Sequence, residues 1–240
     1  MSWAAHDLEP YVLRAKLGAR ISLPFCLLGS YSPDIATKWL VYGVSLGGDQ
    51  VRISDPVQFH RGWPGVGFTH SYAFGVLMSL IILGAFRSRV LAFSFLIGQW
   101  LHVTSDMLDS VGVMAMFPFS TVHVSTDTYA YAGELGRLSD AHAYYTSLGG
   151  ICDLLFVMLL IPYWRVLTRG YFDREVITSD PAFIYLRARV GMLPCRMLYH
   201  TSAFFGITSV AGWLIWALVW NHWHVDWHPG GPNWVPNVTP

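Results

Sequence analysis

The sequence predicts an all-α membrane protein, a polytopic bundle of about five transmembrane helices preceded by an interfacial N-terminal helix. Three observations predict it. Hydrophobic residues make up 53% of the chain and charged residues only 12%, about half the roughly 25% of a soluble domain, and mean hydropathy is +0.40. Apolar runs recur at close to the roughly 20 residues that cross a bilayer. Eleven Trp and twelve Tyr suit the aromatic belts at membrane–water interfaces.

The elements follow in chain order. His6 to Gly18 reads as a short amphipathic helix lying on the surface. Its mixed polar start (His6, Asp7, Glu9, Arg14) is unlike a cleavable signal peptide. Ile21 to about Leu46 is a first apolar run, interrupted by Ser32-Pro33-Asp34 and carrying Lys38. It either crosses once and breaks at Pro33, where proline removes a donor and restricts its neighbour, or re-enters. Phe68 to Phe86, Val90 to Met116 and Tyr199 to Trp220 are clear spans, and Leu148 to Leu167 is a fourth. Polar stretches separate them at Gly47 to Gly67, Ser120 to Thr146 and Thr168 to Pro194. No repeat or composition break divides the chain, so residues 1–240 form one integral membrane domain: segment 1–20, core 21–220, and a Trp/His-rich outer tail at 221–240.

Lys and Arg orient this arrangement. Five spans with the N-terminus inside put Arg14, Lys16, Arg20, Arg87, Arg89, Arg165, Arg169, Arg174, Arg187, Arg189 and Arg196 on the cytoplasmic side. Lys38, Arg52, Arg61 and Arg137 are left outside, with the C-terminus. A net charge of zero argues against nucleic acid as a partner. The three cysteines, Cys26, Cys152 and Cys195, are too scattered for a disulfide or CxxC framework. No GxSxG, P-loop or dinucleotide fingerprint occurs, so serine-hydrolase, NTPase and dehydrogenase chemistries lack support.

Two clusters place metal-capable side chains at membrane depth, where ionisable groups are costly and are kept for pathways, proton relays or metals. His102, Asp106 and Asp109 follow an i, i+4, i+7 spacing that sets them within roughly 60° of one another on a helix. An imidazole and two carboxylates on one stripe make half of a metal site, whereas two carboxylates without a cation repel in low dielectric. The competing reading is a buried polar network that joins helices. The second cluster is His60-Arg61-Gly62 with Thr69-His70-Ser71. In a hairpin turning at Arg87 to Arg89, His70 and Asp106 each lie 17 residues from the turn, about 26 Å along the axis and so at one level. Asp34 reaches that level from the first run, as a ligand or as a turn residue after Pro33. Thr69 reads first as an N-cap. Arg61 suits an anionic substrate or a lipid headgroup. A rival site lies in the tail, where His222, His224, Asp226 and His228 alternate with Trp223, Val225 and Trp227; an aromatic anchor with solvated polar tips is the plainer reading. His123, His142 and His200 show no partners, and Asp140 with His142 is placed to approach the site from its loop.

These motifs resemble those of the YdjM-like inner-membrane proteins, a family described as metal-dependent hydrolases and linked by name to LexA binding. The family carries a His-Arg-Gly-x-Thr-His-Ser motif before a transmembrane helix, then a His-x-x-x-Asp helix, after an early Gly-x-x-x-Pro-Asp segment. The matching residues here are His60-Arg61-Gly62, Thr69-His70-Ser71, His102 with Asp106, and Gly29 through Pro33-Asp34. Six residues, Trp63 to Phe68, separate Gly62 from Thr69 where the family has one. The resemblance covers about residues 25 to 120 and implies the bacterial inner membrane.

The residues and the resemblance lead to one expectation. His70, His102 and Asp106, with Asp34 or His60, hold a divalent metal, zinc first, with manganese and magnesium as alternatives. Asp109 or Asp34 takes a proton from a metal-activated water. Arg61 stabilises charge developing on an ester or phosphoester, lipid-like if the site sits near the headgroups. The expected partners are the lipid bilayer and, in the alternative reading, other membrane subunits. That alternative is a non-catalytic subunit of a larger photosynthetic or respiratory assembly, keeping the site as a structural or vestigial metal centre.

Overall fold

The computed structural model describes residues 3–38, 44–46, 49–51, 56–62, 67–129, 131, 144–145 and 147–220. The tail at 221–240, with its His222 to His228 alternation, lies outside the described residues, as do Asp140 and His142. Helices dominate: α1 (Trp3–Leu17), α2 (Leu23–Ile35), α3 (Pro56–Arg61), α4 (Tyr72–Phe86), α5 (Arg89–Asp106), α6 (Leu148–Leu159), α7 (Pro181–Val190) and α8 (Met192–Trp220). The all-helical expectation needs one addition. Val44–Leu46 and Asp49–Val51 form an antiparallel hairpin with Val44 opposite Val51.

The predicted α4–α5 hairpin is present. Ser71 caps α4 through the Phe74 amide, and Arg87 ends it in the left-handed region at φ 51°. Ser88 then caps α5 through the Leu91 amide. Thr69, expected to cap α4, instead sits one turn earlier in a 3₁₀ segment, Gly67–His70.

Helices α2 and α5 run parallel and very close. Gly29 lies against the Phe95 backbone and Gly98 against the Cys26 backbone, each so near that a Cβ would overlap a carbonyl oxygen. Small residues are what allow helix axes to approach this closely. Ser22 donates its amide to Ser94 Oγ at 2.7 Å at the start of both helices. Asp34 therefore arrives beside His102 and Asp106 at their ends.

Helix α1 corrects the expectation of a surface helix. Leu8, Tyr11 and Arg14 are buried, and so are His6 and Asp7. The helix packs against α2, α5, α6 and α8. Its polar residues look like a solvated face in sequence, yet His6, Asp7 and Arg14 lie inside the bundle. Arg14 donates to Gly18 O at 2.7 Å, to Glu175 O at 2.8 Å and to Ile21 O. Tyr11 Oη donates to Tyr199 O at 2.7 Å.

The bundle consequently has two distinct ends. One holds His6, Asp34, His70 and Asp106. At the other, Arg14 gathers its carbonyls, and Asp180 accepts from Ser22 Oγ, Leu23 N and Ala182 N at 2.7, 2.8 and 3.0 Å, fastening the starts of α2 and α7 together. Segments α1, α2, α4, α5, α6 with its 3₁₀ extension (Ile161–Leu167), and α8 run alternately between these ends. The start of α1 lies at the same end as Asp34 and Asp106.

The helices also differ in length from the apolar runs. The Val90 to Met116 run leaves the helix after Asp106, because Asp109 Oδ1 accepts the amides of Val111 and Gly112 at 3.1 and 2.8 Å and Gly112 takes φ 65°. Within the Ile21 to Leu46 run, the described residues form the helix Leu23–Ile35 and the strand Val44–Leu46. Among the described residues, no single helix is long and apolar enough to cross a membrane. The pair Leu148–Leu159 and Ile161–Leu167 passes that test jointly but is bent by 65°, and Tyr72–Phe86 is a shorter apolar helix.

Candidate metal centre

Five sequence-predicted ligands converge at the site end. His60 Nε2 and His70 Nε2 lie 3.3 and 3.6 Å from Asp34 Oδ1. His70 Nε2 and His102 Nε2 lie 3.6 and 3.1 Å from Asp106 Oδ2. His102 Nε2 is 4.0 Å from Asp34 Oδ1. The expected common level of His70 and Asp106 is therefore met. All four of these histidine and Asp106 side chains are essentially buried, while Asp34 is 14% exposed.

Four elements bring these residues together despite their spread in sequence. Asp34 comes on α2, and His102 with Asp106 on α5, through the glycine contact above. His60 ends α3 and His70 ends the 3₁₀ segment. Their rings meet edge to face at 4.7 Å, so the longer spacer between Gly62 and Thr69 keeps the two histidines adjacent. Gly67 makes this return possible: a Cβ there would overlap the backbone of Arg61 and Gly62. Gln99 Nε2 then pins the segment by donating to Thr69 O and Ser71 O at 3.1 and 2.9 Å.

The outer hydrogen bonds select which nitrogen faces inward. Thr37 Oγ1 donates to Pro33 O at 3.2 Å and so accepts from His60 Nδ1–H. The lone pair of His60 is left on Nε2, pointing to Asp34. Thr69 Oγ1 repeats the pattern, with His70 Nδ1 at 3.3 Å and Pro33 O at 3.5 Å. Burial pushes the His60 imidazole well below its ordinary pKa, with Lys38 and His70 adding to the effect, so His60 stands in the neutral form that could offer Nε2 to a metal.

The inward atoms share one property. His60 Nε2, His70 Nε2, His102 Nε2, Asp34 Oδ1 and both Asp106 oxygens are buried without a hydrogen-bond partner. Buried polar atoms are almost always satisfied, so a convergent set left unsatisfied points to a cation. The donor set fits one: separations of 3.1 to 4.0 Å are those of atoms around a common ion at roughly 2.0–2.2 Å. Asp34, His60 and His70 form one compact triad, and His70, His102 and Asp106 another.

Arg61 and Asp109 belong to the same layer but are already engaged. Arg61 is fully buried, its NH2 nitrogen 3.0 Å from Asp106 Oδ2 and 3.1 Å from Asp109 Oδ2, and its NH1 donates to Gly112 O at 3.3 Å. Burial opposes the guanidinium charge, but Asp106 and Asp109 outweigh it and keep the group protonated. Asp109 Oδ1 holds the Val111 and Gly112 amides. His123 and His200 stand apart: His123 Nδ1 meets Val111 O at 3.0 Å, and His200 packs on Tyr199 and Phe172.

The model of the YdjM inner membrane proteins matches residues 6–176, a stretch that contains every one of these ligands. The chain belongs to the YdjM inner membrane protein family. It is accordingly a membrane protein of inner-membrane type. No curated protein and no solved structure matches the chain.

One residue escaped the sequence reading. His6, on α1, stacks on His102 with ring centroids 3.9 Å apart and planes 17° from parallel. Its Nε2 lies 3.8 Å from Asp106 Oδ1 and is also unpartnered. His6 forms a third triad with Asp34 and His102. Nothing in its spacing links it to the other ligands. Thr37 and Gln99, which hold the ligands in place, were equally silent.

Proposed function

We propose that this YdjM-family protein is a membrane-embedded, metal-dependent hydrolase of ester or phosphoester bonds, acting on a lipid-like substrate at the outer face. The observation that carries this reading is the buried, inward-facing set of unpartnered histidine nitrogens and carboxylate oxygens. A bound divalent ion supplies a water acidified toward neutrality and a Lewis acid for the substrate oxygen. The residues of the chain do the remainder. His60 and His70 are oriented by Thr37 and Thr69. Asp106 is held by Arg61, and Arg61 by Asp109, so these two act by positioning a ligand; the roles of proton acceptor and substrate clamp that their residue types suggest are taken up elsewhere. Asp34, the one member of the set with solvent access, marks the mouth; with Oδ1 turned to the ion, its second carboxylate oxygen would be the base for the water's proton.

The membrane placement extends the same reading. Exposed apolar side chains line α4 (Leu77, Leu80, Ile81), α6 (Leu155, Met158, Leu159) and α8 (Phe204, Phe205), a belt suited to lipid. The six legs then cross in alternation, with the polar helix α1 shielded among its neighbours. Arg14, Arg87 and Arg89 fall at the end away from the metal ligands, which the positive-inside bias makes cytoplasmic. The site then faces outward, and so does the start of α1, in place of the inside N-terminus expected from five spans.

The test is hydrolysis of chromogenic phosphodiester and ester substrates by detergent-purified protein. Turnover that needs added zinc or manganese and falls at least about 100-fold in Asp34→Asn, within the 10²–10⁴-fold range of a lost general base, supports the proposal. A metal-loaded protein without turnover on either class contradicts it.

A further inference from the structure

We propose that the centre holds two metal ions, one bound by His70, His102 and Asp106 and the other by His6, Asp34 and His60. The inference rests on the metal-site reading above and deepens it.

Three observations separate the ligands into two groups. The first is their number: six side chains converge, where a tetrahedral site uses four and a catalytic zinc only three. The second is the His6–His102 stack. A ring nitrogen's lone pair lies in the plane of its own imidazole, so an ion bound to both rings would have to lie in both planes. With centroids 3.9 Å apart and planes within 17° of parallel, an ion in the plane of one ring lies well outside the plane of the other. Each ring therefore addresses its own ion. The spacing of the stack is close to the roughly 3.5–4 Å between ions in two-metal hydrolytic sites.

The third observation is the pair of carboxylates. Asp106 turns Oδ2 to His102 and His70 at 3.1 and 3.6 Å, and Oδ1 to His6 at 3.8 Å. Neither oxygen has a hydrogen-bond partner; Oδ1 faces His6, and Oδ2, ion-paired to Arg61 at 3.0 Å, faces His102 and His70, so the two oxygens address different sides. Asp34 Oδ1 has His60 at 3.3 Å and belongs with His6 and His102 to the third triad; with His102 turned to the Asp106 ion, Asp34 is left as the carboxylate that His6 and His60 share. Two carboxylates with four imidazoles suit two divalent ions, a pair that would clamp both the attacking and the leaving oxygen of a phosphoester.

The experiment measures ions per chain and their magnetic coupling in detergent-purified full-length protein reconstituted with Mn²⁺ alone. The wild type is expected to hold two ions and to give the spin-coupled resonance of a manganese pair. His6→Ala is expected to hold one ion, half the wild-type content, and to give the six-line signal of an isolated ion. His60→Ala, carried by a different element, is expected to do the same and is independent of how α1 packs. One ion in the wild type, unchanged by His6→Ala, overturns the two-metal centre and leaves the single-ion hydrolase standing. No bound ion in the wild type overturns both.

Discussion

Replacing Arg61 by Met tests how the site is held together. The side chain is fully buried and lies 3.0 Å from Asp106 and 3.1 Å from Asp109, so its removal strands two carboxylates away from water. Breaking a buried ion pair by removing one partner costs about 3–5 kcal/mol. For a chain of this size each kcal/mol shifts the melting temperature by about 2–4 °C, so the metal-free variant should melt about 6–20 °C below wild type. Metal changes the result in a defined way. A divalent ion on Asp106 replaces one of the two lost partners, so saturating metal should recover about half the deficit, with Asp109 still stranded. Neutralising that second carboxylate in Arg61→Met/Asp109→Asn should recover much of the rest, a coupling that a double-mutant cycle reads directly. The assay is tryptophan-fluorescence melting in detergent, with chelator and with added Mn²⁺. A shift below about 2 °C in chelator, less than 1 kcal/mol on this scale, would show that Arg61 does not hold these carboxylates and would refute the reasoning.

Further outcomes follow from the same contacts. Thr37→Val removes the hydroxyl that fixes His60 and should weaken metal affinity about 10–100-fold, with Thr37→Ser restoring it; equal competition curves for all three proteins would contradict the tautomer argument. Gly98→Leu drives a side chain into the Cys26 backbone and should cost at least about 1–3 kcal/mol along with most bound metal, since it parts Asp34 from His102; an unchanged melting temperature and metal content would refute the close-packing account. For sidedness, a single cysteine at Val122, on the exposed loop after α5, should react with an impermeant thiol reagent in intact cells. A cysteine at Ser88 should react only after permeabilisation, and the reverse pattern would place the site at the cytoplasmic face.

Much of the site was legible in the sequence because its signals were local. The i, i+4 pair His102 and Asp106 shares a helix face by geometry alone, and the seventeen-residue arms around the Arg87 turn put His70 level with Asp106. Asp34 was legible through the Pro33-Asp34 motif. His6 was not, since it reaches the site by the packing of α1 against α5 and not by periodicity. Its neighbours Asp7, Glu9 and Arg14 look like a solvated face until Arg14 is seen gathering carbonyls from the Gly18 turn and the Glu175 segment. The fold was legible in kind and not in length. Apolar composition ran on past Asp106 and past Ile35, but the Asp109 turn and the Asp34–Thr37 turn ended the helices for reasons of backbone hydrogen bonding that hydropathy does not register.

The central claim is that the unpartnered atoms of this layer are metal ligands and not polar glue between helices. Elemental analysis of the purified wild type beside His102→Ala and Asp106→Asn tests it most directly. The account predicts stoichiometric zinc or manganese in the wild type and a loss of at least half in each variant, with helical circular dichroism retained. A wild type free of divalent metal, or variants that keep the full wild-type content, would contradict it.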